Sequence, residues 1–301
     1  MRKYQFCNSF ILKLIAFGFM TLDHLGVILD IFFNIGAPGN SLYWIYAMLR
    51  ILGRIAMPLF AFMVVEGVRY TKNYKKYALR LGIMAVIIGV VLCVCQFVPS
   101  LGMTDLANQG NIFLDLLLGS LAIYLLNNKK ISIKLLALLP LAISILSYAA
   151  KGMEMARMGE QLWFPKFLRL QFDWMSVGLI IGFYFARFFT TQYFISQENK
   201  TGLKTEYIEG TPIYQTANNL FSILFLFIIS ILYYLGKYIA PNIQIFDLDI
   251  QLAMLMAGLF ILVYNGKRGY NAKWFQYGSY LFYPVHILVL YAIVYLCSLI
   301  H

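Results

Sequence analysis

"LKLIAFGFMTLDHLGVIL", residues 12–29, is almost pure hydrocarbon apart from Lys13 near its start, Thr21, and the pair Asp23–His24 in its middle. About eighteen apolar residues with few charges is the pattern of a helix that crosses a bilayer. Ionisable groups at bilayer depth cost about 2.5–3.5 kcal/mol or more, so a chain that keeps Asp23 and His24 there has a use for them.

The rest of the chain repeats the pattern. Its 301 residues are 61% hydrophobic, 17% aromatic and only 12% charged, against about 25% charge in a soluble domain. Nine segments read as spans: roughly 11–33, 42–66, 79–99, 111–127, 133–150, 172–190, 218–239, 250–265 and 277–299. The expected fold class is all-α, a polytopic membrane protein whose helices form a single bundle, with residues 1–301 as one integral-membrane domain. The first apolar run is longer than the about 7–15 residues of a signal-peptide core and has no small-residue cleavage site after it, so it is read as an uncleaved helix. Cys93 and Cys95, two apart on an apolar helix, point about 200° from each other and do not make a metal pair. No metal site is expected, and the four cysteines are read as ordinary thiols.

Basic residues set the orientation. Arg2 and Lys3 precede the first span; "RYTKNYKKYALR" (69–80), "NNKKISIK" (127–134) and "NGKRGYNAK" (265–273) alternate with "PSLGMTDLANQGN" (99–111) and "PNIQIFDLD" (241–249), which hold no Lys or Arg. The positive-inside rule then gives a multi-pass protein of the cell membrane with a cytoplasmic N-terminus and an external C-terminus. The net charge of +11 suits this signal and anionic lipid. Without a basic soluble module it does not indicate nucleic acid. A basic cytoplasmic rim can receive an anionic small molecule. "KGMEMARMGEQLWFPKFLRL" (151–170) puts four basic residues on the external side against the rule, and is read as an interfacial helix or lid.

The polar groups inside the spans are the candidate site. Lys13 and His24 are eleven residues apart, about three turns, so they share a helix face about 16 Å apart along the axis. Lys13 can instead snorkel to the headgroups, and His24 can bond a neighbouring helix. Arg50 and Arg54 in "LRILGRIAMPLF" (49–60) are four apart and share a face. Pro58 removes the amide that would bond the carbonyl of Arg54, so a kink is expected there. Two buried arginines need anions: Asp23, Asp115 and Glu66 in a structural network, or a substrate phosphate or developing oxyanion. Asn111 and Asp115, also four apart, suit interhelical bonding. Glu66 can orient a basic group. In "GSYLFYPVHILVL" (278–290), Tyr283 and His286 are three apart, a site pair or part of an interfacial aromatic belt.

These blocks carry a resemblance. "LKLIAFGFMTLDHLG", "LRILGRIAMPLFAFMVVEGVRYTKNYKKYALRL", "NIFLDLLLG", "YNGKRG" and "FYPVHILVL" together resemble the TraX family, whose namesake acetylates the N-terminus of conjugative pilin in the membrane. The run from Gly53 to Thr71 is its most specific part. The family is similar in turn to the acyltransferase-3 superfamily of integral-membrane O- and N-acyltransferases, with an Arg and, eleven positions on, a catalytic His in the first helix; here Lys13 and His24 match, Lys replacing Arg. The superfamily's late "SY-x-x-Y-x-x-H" pattern resembles Ser279, Tyr280, Tyr283 and His286, and its usual ten helices put the count at about 9–10.

What the resemblance implies is an acetyl-CoA-dependent N- or O-acetyltransferase acting on a peptide, such as a pilin N-terminus, or on a glycan. Acetyl-CoA would come from the cytoplasm, its phosphates meeting Lys13, Arg50, Arg69, Lys72, Lys267 and Arg268, some of which serve equally as orientation signal. His24 would be the general base, Arg54 the oxyanion stabiliser, with Asp23, Glu66 and His286 around them. The competing reading is a transporter or export component, which would also use midplane charges and a kinked helix.

Overall fold

The computed structural model describes residues 4–97, 110–156, 164–202, 204–239 and 248–299. Its helices are α1 (Ser9–Phe33), α2 (Tyr43–Gly53), α3 (Ala56–Tyr70), α4 (Tyr74–Phe97), α5 (Ile112–Leu126), α6 (Leu138–Ala156), α7 (Asp173–Thr201), α8 (Pro212–Ile239), α9 (Ala257–Leu262) and α10 (Lys273–Ser298), joined by shorter turns. Seven helical stretches among the described residues are long and apolar enough to cross a membrane, α2 with α3 counting as one; two more, Ile112–Leu126 and Leu252–Leu262, are apolar but shorter. Together they fall on the nine expected segments. The protein is an all-α polytopic membrane protein. Its four cysteines are free thiols. The two loops expected to lack basic charge, 99–111 and 241–249, lie mostly outside the described residues.

Local chemistry sets the helix ends. Asn8 opens α1, its Oδ1 accepting from the amide of Ile11 at 3.0 Å. Asn34 closes it in the left-handed region at φ 49°, its amide bonding the carbonyl of Asp30, a conformation that Asn tolerates better than most residues. The expected interruption before Pro58 is present: α2 ends at Gly53 and α3 begins at Ala56.

The chain divides into two compact units: Met1–Phe60, Phe189–Leu224 and Phe246–His301 in the first, Ala61–Phe188 and Phe225–Ile245 in the second. In the first, α1 packs along α2 and α10. Gly26 lets α2 come close, since a Cβ there would meet Leu49 Cβ at 3.1 Å. Phe17, Met20 and Ala56 form a small core covered by Phe19, Phe60, Phe282 and Tyr283. Phe17 stacks on Phe282 at 4.3 Å, and Phe32 meets Tyr291 edge-on at 5.1 Å. Such close ring packing holds helices together where lipid offers no hydrophobic drive.

The second unit corrects the reading of 151–170. Residues 157–163 lie outside the described ones, but Lys151, Glu154 and Arg169 are buried rather than interfacial. Acids inside the unit neutralise the bases: Lys151 pairs with Asp173 at 2.7 Å, Lys166 with Glu154 at 2.8 Å, and Arg169 also with Glu154. The stretch 164–172 is not helical apart from one turn at Lys166–Leu168, so its backbone polar groups need other partners. Asp115 accepts from the amides of Gln171 (2.6 Å) and Phe172 (3.2 Å) and from the hydroxyl of Ser176. Ser147 Oγ accepts from the Leu170 amide and donates to Asp173. Asn111 caps α5 and donates to the carbonyl of Ala85 at 2.7 Å, the interhelical use its spacing suggested.

Asp115→Ala removes the acceptor of two backbone amides in this buried setting, while the Ser176 hydroxyl keeps the carbonyl of Asp173 at 2.8 Å. Each orphaned group costs about 1–3 kcal/mol, so a large drop in melting temperature is expected in nanodiscs, with Asp115→Asn, which keeps one acceptor oxygen, falling between. Equal melting of Asp115→Ala and wild type would refute this account of the segment.

Candidate functional site

Two imidazoles separated by 262 residues in sequence meet in the first unit. His24, near the middle of α1, and His286, two residues after Pro284 in α10, lie 3.1 Å apart from Nδ1 to Nε2. Each is anchored to the carbonyl four residues before it: His24 Nδ1 to Met20 at 2.9 Å, His286 Nδ1 to Phe282 at 2.7 Å. A carbonyl can only accept, so these bonds assign the neutral tautomers. His286 carries its proton on Nδ1 and offers a lone pair at Nε2. His24 Nδ1–H then serves both Met20 O and His286 Nε2. The lone pair of His24 therefore sits on Nε2, the nitrogen free for chemistry.

Rings hold the pair in place. Phe282 stacks on His286 at 4.9 Å with 11° between planes. Tyr283 presents an edge to His24 at 5.7 Å. His286 is 7% exposed, and His24 is half-buried beside it.

Next to His24 in the chain, Asp23 gathers both arginines of α2 and the break after it. Its Oδ1 lies 2.9 Å from Arg50 Nη1 and 3.3 Å from Arg54 Nη2. Arg54 is 5% exposed, and its Nη1 donates to Gln251 Oε1 at 3.5 Å. Gly53 is required here because a Cβ would fall on the Asp23 side chain. One carboxylate is thus shared between two guanidiniums. Of the acids considered as partners for the arginines, Asp23 contacts both. Asp115 belongs to the network of the second unit, and Glu66 pairs there with Arg69 at 3.6 Å.

The remaining candidates are placed as follows. Lys13 lies 5.3 Å from the ring centre of Phe275 on α10, so Lys13 and His24 do share the face that meets α10. Lys267 and Arg268 stand exposed in the loop before α10, and Lys72 is exposed between α3 and α4. Arg50, grouped with the phosphate contacts, stands in the Asp23 cluster. Gln251 was not among the sequence candidates; its signal is a polar amide at the edge of the short apolar segment 250–265. Likewise unforeseen is the Phe282 carbonyl as the anchor of His286.

Fold and site together define a multi-pass membrane protein with a paired, tautomer-fixed imidazole beside a partly neutralised arginine cluster. The family described as "TraX protein" matches residues 9–201, well over half of the chain, and the chain belongs to the TraX family. It is 25% identical over 286 residues, 94% of each chain, to the probable fimbrial assembly protein FimC, serogroup H1, of Dichelobacter nodosus. No solved structure matches it.

Proposed function

We propose that this chain is an integral-membrane acetyltransferase that moves an acetyl group from cytoplasmic acetyl-CoA to an amine or hydroxyl of a membrane-associated or exported acceptor. The observation that carries the reading is the His24–His286 pair with the Asp23–Arg50–Arg54 cluster beside it. Family membership supports it. A peptide acceptor suits the fimbrial assembly role in the name of the Dichelobacter nodosus relative; a glycan hydroxyl is the other class.

In this reading His24 Nε2 takes the proton of the acceptor nitrogen or oxygen as that atom bonds to the thioester carbonyl carbon. The charge that develops on the carbonyl oxygen is met by Arg54, a desolvated and always protonated donor. Collapse of the tetrahedral intermediate breaks the carbon–sulfur bond, and the imidazolium returns its proton to the departing thiolate. His286 is a positioning residue: its Nε2 accepts from His24 Nδ1–H, fixes the ring and shares the positive charge while it lasts. Lys13 meets the donor at the cytoplasmic end of α1, an orientation supported by the alternation of basic loops.

The test is reconstitution in nanodiscs with acetyl-CoA labelled in the acetyl group, offering peptides with a free N-terminus and glycans. The expected result is label on one acceptor class with stoichiometric release of the CoA thiol. A folded preparation that labels neither class and releases no thiol overturns the reading.

A further inference from the structure

The Lys13 end of α1 carries a second cluster, about 16 Å along the helix from His24 at 1.5 Å per residue. Phe275, beneath Lys13, packs against Phe10 at 4.8 Å. Phe10 meets Tyr270 edge-on at 5.4 Å, and Trp274 lies 5.8 Å from Phe275. Trp274 Nε1–H donates to the Tyr270 hydroxyl at 2.8 Å, which sets the two rings relative to each other. Both are largely open, Trp274 at 68% and Tyr270 at 49%.

The loop that carries two further cations just before Tyr270 is held by its backbone. The amide of Asn265 bonds the carbonyl of Cys7 at 2.8 Å, and the amide of Ser9 bonds the carbonyl of Lys267 at 2.9 Å. Gly269, at φ 71°, abuts the side chain of Asn8 where a Cβ would not fit. The loop that bears Lys267 and Arg268 is thus latched to the start of α1. Among the described residues, no carboxylate forms an ion pair with Lys13, Lys267 or Arg268.

We propose that this platform of rings and cations binds the phosphorylated adenine nucleotide of a coenzyme A thioester, the purine against Tyr270 and Trp274 and the phosphates on Lys13, Lys267 and Arg268. The proposal rests on the acetyltransferase reading and adds which end of the donor is recognised, and by what. Aromatic faces stack any purine, and the cations supply what phosphate needs. The platform and the histidine pair lie on the same two helices, with Phe17 stacked on Phe282 between them. An anionic lipid headgroup would use the cations alone; only the nucleotide makes affinity depend on the rings.

The probe is adenosine 3′,5′-bisphosphate, which has the nucleotide but neither pantetheine nor thioester, titrated by calorimetry into protein held in phosphatidylcholine nanodiscs. Wild type is expected to bind it. Tyr270→Ala with Trp274→Ala should weaken binding roughly tenfold or more, the loss of stacking, and Arg268→Ala should do so through the phosphates. Trp274→Phe should retain most of the affinity, whereas Trp274→Leu, equally apolar but without a π-face, should not; that contrast separates stacking from misfolding. No binding by wild type, or binding indifferent to the rings and competed by phosphatidylglycerol, overturns the proposal. Wild type that binds the nucleotide but transfers no acetyl group sinks the acetyltransferase reading alone. Acetyl transfer with ring-indifferent binding sinks the platform alone.

Discussion

His24→Ala should lower acetyl transfer by roughly 10²–10⁴, the usual contribution of a positioned general base. Its folding should be little affected, since the ring is only partly covered and its bonds are to one carbonyl and one neighbouring imidazole. His286→Ala should cost less, because it leaves the reactive nitrogen in place and removes only its support. His286→Gln, whose amide oxygen can accept from His24 Nδ1–H, should recover part of the rate. If the rings act as a unit, the double variant His24→Ala/His286→Ala will be no slower than His24→Ala alone, since residues of one catalytic unit are not additive. Single-turnover rates with labelled acetyl-CoA measure all four. Unimpaired transfer by His24→Ala would end the proposed mechanism.

The second large effect is expected at Asp23. Its carboxylate sits between Arg50 and Arg54 at 2.9 and 3.3 Å, with 14% of its side chain exposed. Asp23→Ala leaves two like charges four residues apart on one face without the anion that separates them. Breaking a buried pair in this way costs about 3–5 kcal/mol, and the residual exposure points to the lower end. The result should be a strongly lowered melting temperature and loss of acetyl transfer together. Asp23→Asn with Arg50→Met restores the cluster's net charge of one and should recover most of the melting temperature. A double variant as unstable as Asp23→Ala would show that the geometry of the ion pair, rather than charge balance, holds α1 and α2 together.

Much of this was legible in the sequence. Spans follow from apolar length, and the break near Pro58 follows from a missing amide. That buried arginines need anions brought in Asp23 together with Asp115 and Glu66, without choosing among them, and the eleven-residue step put Lys13 and His24 on one face. The meeting of His24 with His286 was beyond such reasoning, because periodicity gives the face of a helix but not which helix lies against it. Family resemblance marked both histidines without placing them together. Lys151, Glu154 and Arg169 were misread because a mixed-charge stretch looks interfacial until its charges are matched with Asp173 and with one another. Gln251 escaped because an uncharged amide raises no alarm in an apolar run.

The distance in sequence between the two rings has a bearing on biogenesis. His24 is made well before α10, which carries its partner. A nascent chain, or one cut short before α10, therefore holds a first helix whose imidazole lacks its support and whose start lacks the latch from the 263–267 loop. The support of His24 and the tether of the start of α1 therefore both wait on the insertion of α10.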